Sequence, residues 1–268
     1  MSVAIVKARL AITTEKDGIF SIPGDLEKMR DTLVLSAQNY IILKVALDKL
    51  SGIDTLFLNK LAADSIPAEF IAKKDSLLND FDRKDIVYYA GIHTETSLFE
   101  YLQLAQQFDV SQRGILLKSV VINRLAFMVN SDNGGLQFTR FRIRIYDLDT
   151  LTGGPGRDLC SQLIEIKNRE RRQLRVNLTQ YKIALPSRTF FVAIEWLRDF
   201  DNMGYSTVFD EKLWKEVKHV NYRPAIGISP LKGKKLNIWG LNMKREWKPY
   251  TYFSPDYTDL AIEATIAY

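Results

Sequence analysis

The sequence predicts an all-β protein made of two β-sandwiches joined by a short connecting helix. Short apolar runs separated by turn residues recur along the chain, and over residues 141–146 apolar residues alternate strictly with arginine. The composition, 46% hydrophobic and 11% aromatic, is sufficient for packed cores. A length of 268 residues leaves room for two domains of ordinary size. We predict a first sandwich over residues 1–60, a helical linker over 61–85 and a second sandwich over 86–268.

The first sandwich is predicted from short apolar runs with turn residues between them. Asp17 with Gly18 and the Pro-Gly-Asp of residues 23–25 are turn signals. Asn39 tolerates the left-handed backbone that a tight turn requires. The predicted strands cover residues 8–14, 19–22, 32–36, 41–47 and 55–58.

The linker differs in pattern from the segments around it. Pro67 suits the first turn of a helix, and the apolar residues that follow it, up to Leu78, recur at helical spacing. Residues 86–89 have the composition of a strand. The stretch from there to Phe108 fits both periods, so its structure is left open.

The second sandwich is predicted from alternating strands and the loop signals between them. Residues 189–196 and 260–266 resemble residues 141–146 in having the pattern of strands with one buried face. The Gly-Gly-Pro-Gly of residues 153–156 and the segment 224–230, which begins and ends with proline, indicate loops or edges. Many short strands between turn signals favour a sandwich.

Composition also argues against several classes of function. The net charge is +5, but Lys and Arg are interleaved with Asp and Glu, so nucleic-acid binding is not indicated. Cys160 is the one cysteine, which excludes an intramolecular disulfide and a cysteine-based metal cluster. We predict that it is a small buried residue. No apolar run approaches the roughly 18 residues of a transmembrane segment, and the absence of an export signal, taken alone, predicts a cytoplasmic protein.

Two segments of the first sandwich resemble the carboxypeptidase-like regulatory domain family. That family has a T-x-x-x-G-x-F-x-I-P strand pair followed by D-T-L-x-x-S-x-x-G-Y. Here residues 14–23 read TEKDGIFSIP and residues 31–40 read DTLVLSAQNY, with Asn39 in place of the usual glycine. The resemblance covers residues 3–60 and implies a transthyretin-like sandwich that is truncated, because the family's first strand is missing before Val3. It also implies that an export signal has been removed.

The second half is similar to the C-terminal region of uncharacterised Bacteroidetes-type envelope proteins that carry such a regulatory domain in front. The similarity rests on residues 141–146, 154–159, 176–181 and 191–196. It implies a jelly-roll-like β-sandwich in the periplasm or at the outer membrane and cell surface, and it brings no established activity. The oligomeric state stays open.

An aromatic cluster near the C-terminus is the strongest candidate for a binding site. Aromatic faces stack on sugar rings and anchor protein partners, although sandwich cores also need large aromatic residues. Trp247 and Tyr250 are favoured because Lys248 and Pro249 lie between them in a segment with loop character. The cluster consists of Trp239, Trp247, Tyr250, Tyr252, Phe253 and Tyr257.

Asp147, Asp149 and Asp158 flank the glycine-rich loop at residues 152–156 and are candidate calcium ligands. Oxygen ligands on a loop suit calcium, but Asp and Gly are equally common in turns without a metal. No other cofactor is indicated.

Charged residues on the predicted strands suggest further sites, each with a simpler interpretation. Glu195 and Glu263 could form the carboxylate pair of a glycoside hydrolase, but alternation places both on the solvent side of their strands. Arg140, Arg142 and Arg144 share one strand face, where they could bind an anionic partner or simply be solvated.

A zinc carboxypeptidase is excluded because His93 and Glu95 are too close in sequence for its ligand spacing. The sequence therefore favours a non-catalytic envelope module of the binding or adhesion type that recognises a glycan or a protein partner. The alternatives are a glycoside hydrolase-like jelly-roll enzyme and a purely structural envelope protein.

Overall fold

A computed structural model describes residues 1–14, 17–22, 30–37, 40–60, 74–91, 101–125, 138–169, 172–199, 202–230 and 235–268. These residues confirm the all-β prediction, and the fold is consistent with a β-sandwich. Helical structure in the described ranges is limited to short 3-10 turns, none of them long and apolar enough to cross a membrane. The strands are β1 Ser2–Ile5, β2 Leu10–Thr13, β3 Thr32–Ser36, β4 Leu43–Ala46, β5 Asp75–Leu78, β6 Tyr89–Ala90, β7 Tyr101–Asp109, β8 Ile115–Asn123, β9 Phe138–Leu148, β10 Pro155–Asp158, β11 Ile164–Arg169, β12 Gln173–Asn177, β13 Ala184–Leu185, β14 Thr189–Trp196, β15 Met203–Asp210, β16 Lys215–Tyr222, β17 Ile226–Gly227, β18 Ile238–Asn242, β19 Trp247–Pro249 and β20 Ile262–Ala267.

The N-terminal strands form a four-stranded antiparallel sheet in the order β2-β1-β3-β4. Side chains alternate along it, so Val3 and Leu33 lie on one face while Ala4 and Val34 lie on the other. The first face packs against apolar residues from the same segment, including Leu47. The second face contacts residues of the main sandwich, and its alanines allow a close approach. Both faces of the central strands β1 and β3 are therefore buried.

Asp31 fixes the turn between β1 and β2. Its carboxylate accepts hydrogen bonds from the backbone N–H groups of Lys7, Ala8 and Thr32, at 2.6 to 3.0 Å. Burial alone would raise the pKa of Asp31, but these backbone donors outweigh it and hold the pKa below its ordinary value. The ionised carboxylate of Asp31 thus stabilises the turn between β1 and β2.

The main sandwich consists of two antiparallel sheets with a shared apolar core. One sheet has the order β10-β9-β14-β7-β18-β19, with β11 also pairing with β9, and the other has the order β12-β8-β20-β5, with β13 also pairing with β8. The inward side chains of both sheets, such as Ile143 and Ile145 on β9 and Ile122 and Ile262 opposite, form one continuous core. The side chains that β9 places on the opposite face include three arginines, Tyr146 and Leu148.

The sequence predictions for the linker and for two short strands differ from the structure. The predicted helix is wrong at its described end, because Asp75–Leu78 forms strand β5 and pairs with the C-terminal strand β20. Residues 61–73 lie outside the described residues. The strands predicted at residues 19–22 and 55–58 are wrong as well: both segments are described, and neither contains a strand.

Strands β15 and β16 form a separate hairpin. They pair along eight residues, from Met203 with Tyr222 to Asp210 with Lys215, and this two-stranded sheet joins neither sheet of the sandwich. We call this hairpin the arm, and its tip is the turn at residues 209–215.

Candidate functional site

The outer face of the seven-stranded sheet carries a network of buried charges. On β9 the outward side chains of Arg140, Arg142 and Arg144 alternate with core residues, and the β9–β14 register places Glu195 directly opposite Arg142. Alternation therefore places several ionisable groups of two neighbouring strands on the same face. The N-terminal sheet contributes Ser36 to the cover of this face, so these groups are withdrawn from solvent.

Carboxylates hold each of these arginines in place. Arg144 donates from Nε to Asp158 at 2.7 Å and from Nη1 to Glu195 at 3.2 Å, and its Nη2 forms an ion pair with Asp158 at 2.6 Å. Glu165 accepts from both Arg140 and Arg142, at 3.2 to 3.3 Å. The Arg144 side chain is only 12% exposed and that of Glu195 only 6%, so the Arg144–Glu195 ion pair is largely shielded from water.

The ionisation of Glu195 follows from its surroundings. Burial would raise the pKa of this carboxyl, but Arg144, then Arg142 and Arg245, lower it below its ordinary value. Burial raises the pKa of the neighbouring Tyr146 to about 12, with Arg144 acting in the opposite direction. Tyr146 is therefore a neutral phenol at physiological pH, and it donates a hydrogen bond to Gln103 at 2.9 Å.

A cavity of ≈ 280 Å³ opens beside this network, between the end of β3 and the outer face of the sheet. Arg142 reaches it with a guanidinium whose Nε is bound to Glu165 at 3.2 Å. Among the residues that the structure describes, none accepts a hydrogen bond from its Nη1 or Nη2. The two terminal nitrogens can therefore bind a carboxylate in a bidentate manner. The cavity is lined by Met1, Ser36, Ala37, Arg142, Arg144, Ser161, Leu163 and Glu195.

Arg245 adds positive charge to the same region. It lies in the turn between β18 and β19 with a left-handed backbone, φ 64°, and it acts electrostatically on both Glu195 and Tyr146. Its Nε and Nη2 atoms are buried and have no hydrogen-bond partner among the described residues. Donors left unsatisfied in this way are costly, which favours an acceptor nearby.

The aromatic residues predicted as a binding platform divide between the two sides of the seven-stranded sheet. Trp239 and Trp247 are half-buried on its outer face, where Trp239 donates to Gln107 at 3.2 Å and Trp247 meets the Tyr146 ring edge-on. Tyr250 is buried in the sandwich core. It contacts Tyr252, which is 53% exposed.

These residues do not share one continuous surface. Phe253 and Tyr257 pack against the sandwich core on the side of Tyr250. The structure thus brings together Trp239 with Trp247, and Tyr250 with Tyr252, as two separate groups. A ligand-binding role for either group stays a prediction.

The three candidate calcium ligands have different surroundings. Asp149 accepts from the backbone of Leu151 at 3.0 Å and from the hydroxyl of Thr152 at 2.7 Å, so it stabilises its own turn. Asp158 is held by Arg144, and Asp147 lies on β9 opposite β14. Over the described part of the chain, no group of three or more His, Cys, Asp or Glu side chains is arranged as a metal site.

Glu195 and Glu263 lie on opposite sheets and face outwards, away from the core residues beside them. The prediction of outward side chains is confirmed, but the prediction that they meet solvent is wrong, since the two residues are only 5% and 8% exposed. Glu195 is shielded from solvent because the N-terminal segment covers the outer face of its sheet. Alternation separates the two faces of a strand but does not show what covers them.

Sequence reasoning missed the tip of the arm. Trp214 is 79% exposed, Leu213 58% and Phe209 49%, and the Phe209 and Trp214 rings pack edge to face at 5.3 Å. Asp210 fixes the turn by accepting from the backbone N–H groups of Lys212 at 2.8 Å and Leu213 at 3.0 Å. A polar stretch between two β-rich runs, followed at once by Leu-Trp, is the signal that could have identified it.

Cys160 is 4% exposed, in agreement with its prediction as a small buried residue, and burial raises the pKa of its thiol. A function can be inferred from three features: the fold, the arginine network with its cavity, and the arm. Comparison of the chain with protein-family models, with curated proteins and with solved structures gave no match.

Proposed function

We propose that the protein is a non-catalytic binding module of the cell envelope that recognises a protein partner through the tip of its arm. The observation that carries this proposal is the exposure of Trp214, Leu213 and Phe209 at the end of a hairpin outside both sheets of the sandwich. Burying one large apolar side chain contributes about 1.5–3 kcal/mol. Three such side chains at one tip supply the anchor that protein interfaces typically use.

The construction of the tip favours binding over accidental exposure. The Asp210 hydrogen bonds and the edge-to-face ring pair hold the apolar side chains in one arrangement. A preordered anchor loses less conformational entropy when it binds. Asp210, Glu211, Lys212 and Lys215 surround the aromatic pair with both signs of charge, which is the composition of an interface rim.

The envelope location rests on the similarity of the second half, at residues 141–146, 154–159, 176–181 and 191–196, to envelope proteins that carry a regulatory-like domain in front, as residues 3–60 do here. The placement of the acidic residues favours binding over glycoside hydrolysis. A retaining hydrolase needs two carboxyl groups roughly 5 Å apart in one cleft. Glu195 and Glu263 face outwards from opposite sheets, and Glu195 is already paired with Arg144.

Site-specific photocrosslinking of the full chain in its native envelope tests the proposal. A benzophenone amino acid replaces Leu213 in one sample and Leu151 in a control, because Leu151 is 96% exposed on a different turn. We expect a discrete adduct with a second protein from position 213 alone, lost when Trp214→Ser and Phe209→Ser are added. Equal labelling from both positions, or no protein adduct from position 213, would contradict the proposal and favour a structural role.

A further inference from the structure

We propose that the cavity beside Arg142 binds a small ligand with one carboxylate and several hydroxyl groups, which is the chemistry of a sugar acid. We call this cavity the arginine cavity. It lies on the outer face of the sandwich, and its residues are not those of the arm. The inference therefore goes beyond the protein partner proposed above and stands or fails independently of it.

Arg142 provides the carboxylate end of the site. Its Nε is anchored by Glu165, which Arg140 also holds, so the guanidinium is fixed before any ligand arrives. The Arg142 side chain is only 13% exposed, and its Nη1 and Nη2 have no acceptor among the described residues. A planar fork of two parallel donors matches a carboxylate and adds geometric selectivity to the charge attraction.

Arg144 and Glu195 provide the opposite end. Arg144 donates two hydrogen bonds, one to Asp158 and one to Glu195, and its Nη2 forms an ion pair with Asp158, so it contributes charge more than free donors. Arg144, Arg142 and Arg245 keep Glu195 ionised, and an ionised carboxylate is an acceptor for hydroxyl groups. A second negative charge on the ligand would meet Glu195 and be repelled. The site therefore selects a monoanion whose other polar groups are hydroxyls.

The size of the arginine cavity is sufficient for a single ring. At about 30 Å³ per water molecule, ≈ 280 Å³ holds on the order of nine waters, the volume of one monosaccharide with its substituents. Leu163 and Ala37 supply apolar wall for the carbon side of such a ring.

Isothermal titration calorimetry with glucuronate and galacturonate tests the assignment. The comparison ligands are glucose, alanine and inorganic phosphate. Glucose lacks the carboxylate, alanine carries an ammonium group beside its carboxylate, and phosphate is a multiply charged anion. We expect at least one sugar acid to bind about tenfold or more tightly than each comparison ligand. The structural cause is that one cavity offers both the terminal nitrogens of Arg142, which suit a carboxylate, and the carboxylate of Glu195, which accepts from hydroxyl groups.

Three variants localise the binding. Arg142→Gln removes the fork and should weaken the sugar acid about tenfold or more. Ala37→Leu fills the cavity from the N-terminal sheet and should weaken it similarly while leaving the arginines in place. Arg113→Gln, an exposed arginine on the loop after β7, is the matched control and should bind normally. Thermal unfolding of each variant establishes that it is folded.

Several outcomes would overturn the proposal. The first is that the folded wild-type protein binds neither sugar acid. The second is that the affinity for the sugar acid is unchanged in a folded Ala37→Leu or Arg142→Gln variant. The third is that glucose, alanine or phosphate binds as tightly as the sugar acid or more tightly. No protein adduct from position 213 of the arm, with sugar-acid binding intact, would count against the partner proposal alone.

Discussion

Replacing Glu195 by glutamine should cost more stability than any other single charge removal considered in this protein. The side chain is 6% exposed and lies 3.2 Å from Arg144, with Arg142 and Arg245 nearby. Removing one partner of a buried ion pair costs about 3–5 kcal/mol, because the other charge is left uncompensated. Arg144 keeps Asp158 at 2.6 Å, so we expect the lower end of that range. At about 2–4 °C per kcal/mol for chains of this size class, the midpoint of thermal unfolding should fall by about 6–12 °C.

The pH dependence of this loss provides a second readout. The pKa of Glu195 in the folded state lies below its ordinary value of 4.5, so its ionised form stabilises the fold above that value. This contribution disappears as the pH falls through the lowered folded pKa. The stability difference between the wild type and Glu195→Gln should therefore be complete at pH 7 and shrink in acid.

Glu246→Gln is the matched control, measured by urea or thermal unfolding under the same conditions. Glu246 lies 3.4 Å from Lys248 in a pair whose side chains are 50% and 62% exposed. Removing such a pair should change stability by no more than about 0.5 kcal/mol. If Glu195→Gln costs no more than Glu246→Gln, the buried network does not hold the sandwich as we have argued.

The remaining predictions concern buried groups elsewhere. Asp31→Asn should lower the free energy of unfolding by about 1–3 kcal/mol, because an amide has one acceptor oxygen for three backbone donors. This loss should be complete above the ordinary pKa of 3.8 and should vanish as the pH falls through the lowered pKa of the folded state. An equal loss at pH 7 and pH 2 would contradict the prediction. Cys160 should react with maleimide only under unfolding conditions, whereas rapid labelling of the folded protein would refute its burial. Gly154→Val should shift tryptophan fluorescence and lower the unfolding midpoint, because a Cβ at position 154 would lie 2.7 Å from the Trp239 ring; an unchanged emission spectrum would count against that contact.

Sequence patterns predicted best the strands that are short apolar runs. Strands β3 and β14 have the bounds expected from the sequence, residues 32–36 and 189–196. Strand β7 could not be assigned from the sequence because Leu102, Ala105 and Phe108 recur at helical spacing, although residues 102–108 are all buried in a strand. Segment 19–22 has strand composition without a strand neighbour, and composition alone does not show whether a partner is available.

The candidate site was harder to predict than the fold because it depends on contacts between distant segments. The alternation of residues 141–146 gives the face of each arginine, and the structure confirms that Arg142 and Arg144 point away from the core. The pattern does not show which distant residues lie over that face. Ser36 and Ala37, more than a hundred positions earlier in the chain, line the cavity there and cover the face.

That cover changes how the charges of β9 should be interpreted. On a solvated face, arginines alternating with apolar residues need no ligand, and surface pairs contribute little. Under a second sheet the same side chains must be compensated, and Asp158, Glu165 and Glu195 supply the counter-charges. The compensation is incomplete at Arg142, which lines the cavity and whose two terminal nitrogens have no acceptor among the residues that the structure describes. A fold that encloses a guanidinium and leaves its outer edge open is better explained by a carboxylate that enters the cavity than by stability alone.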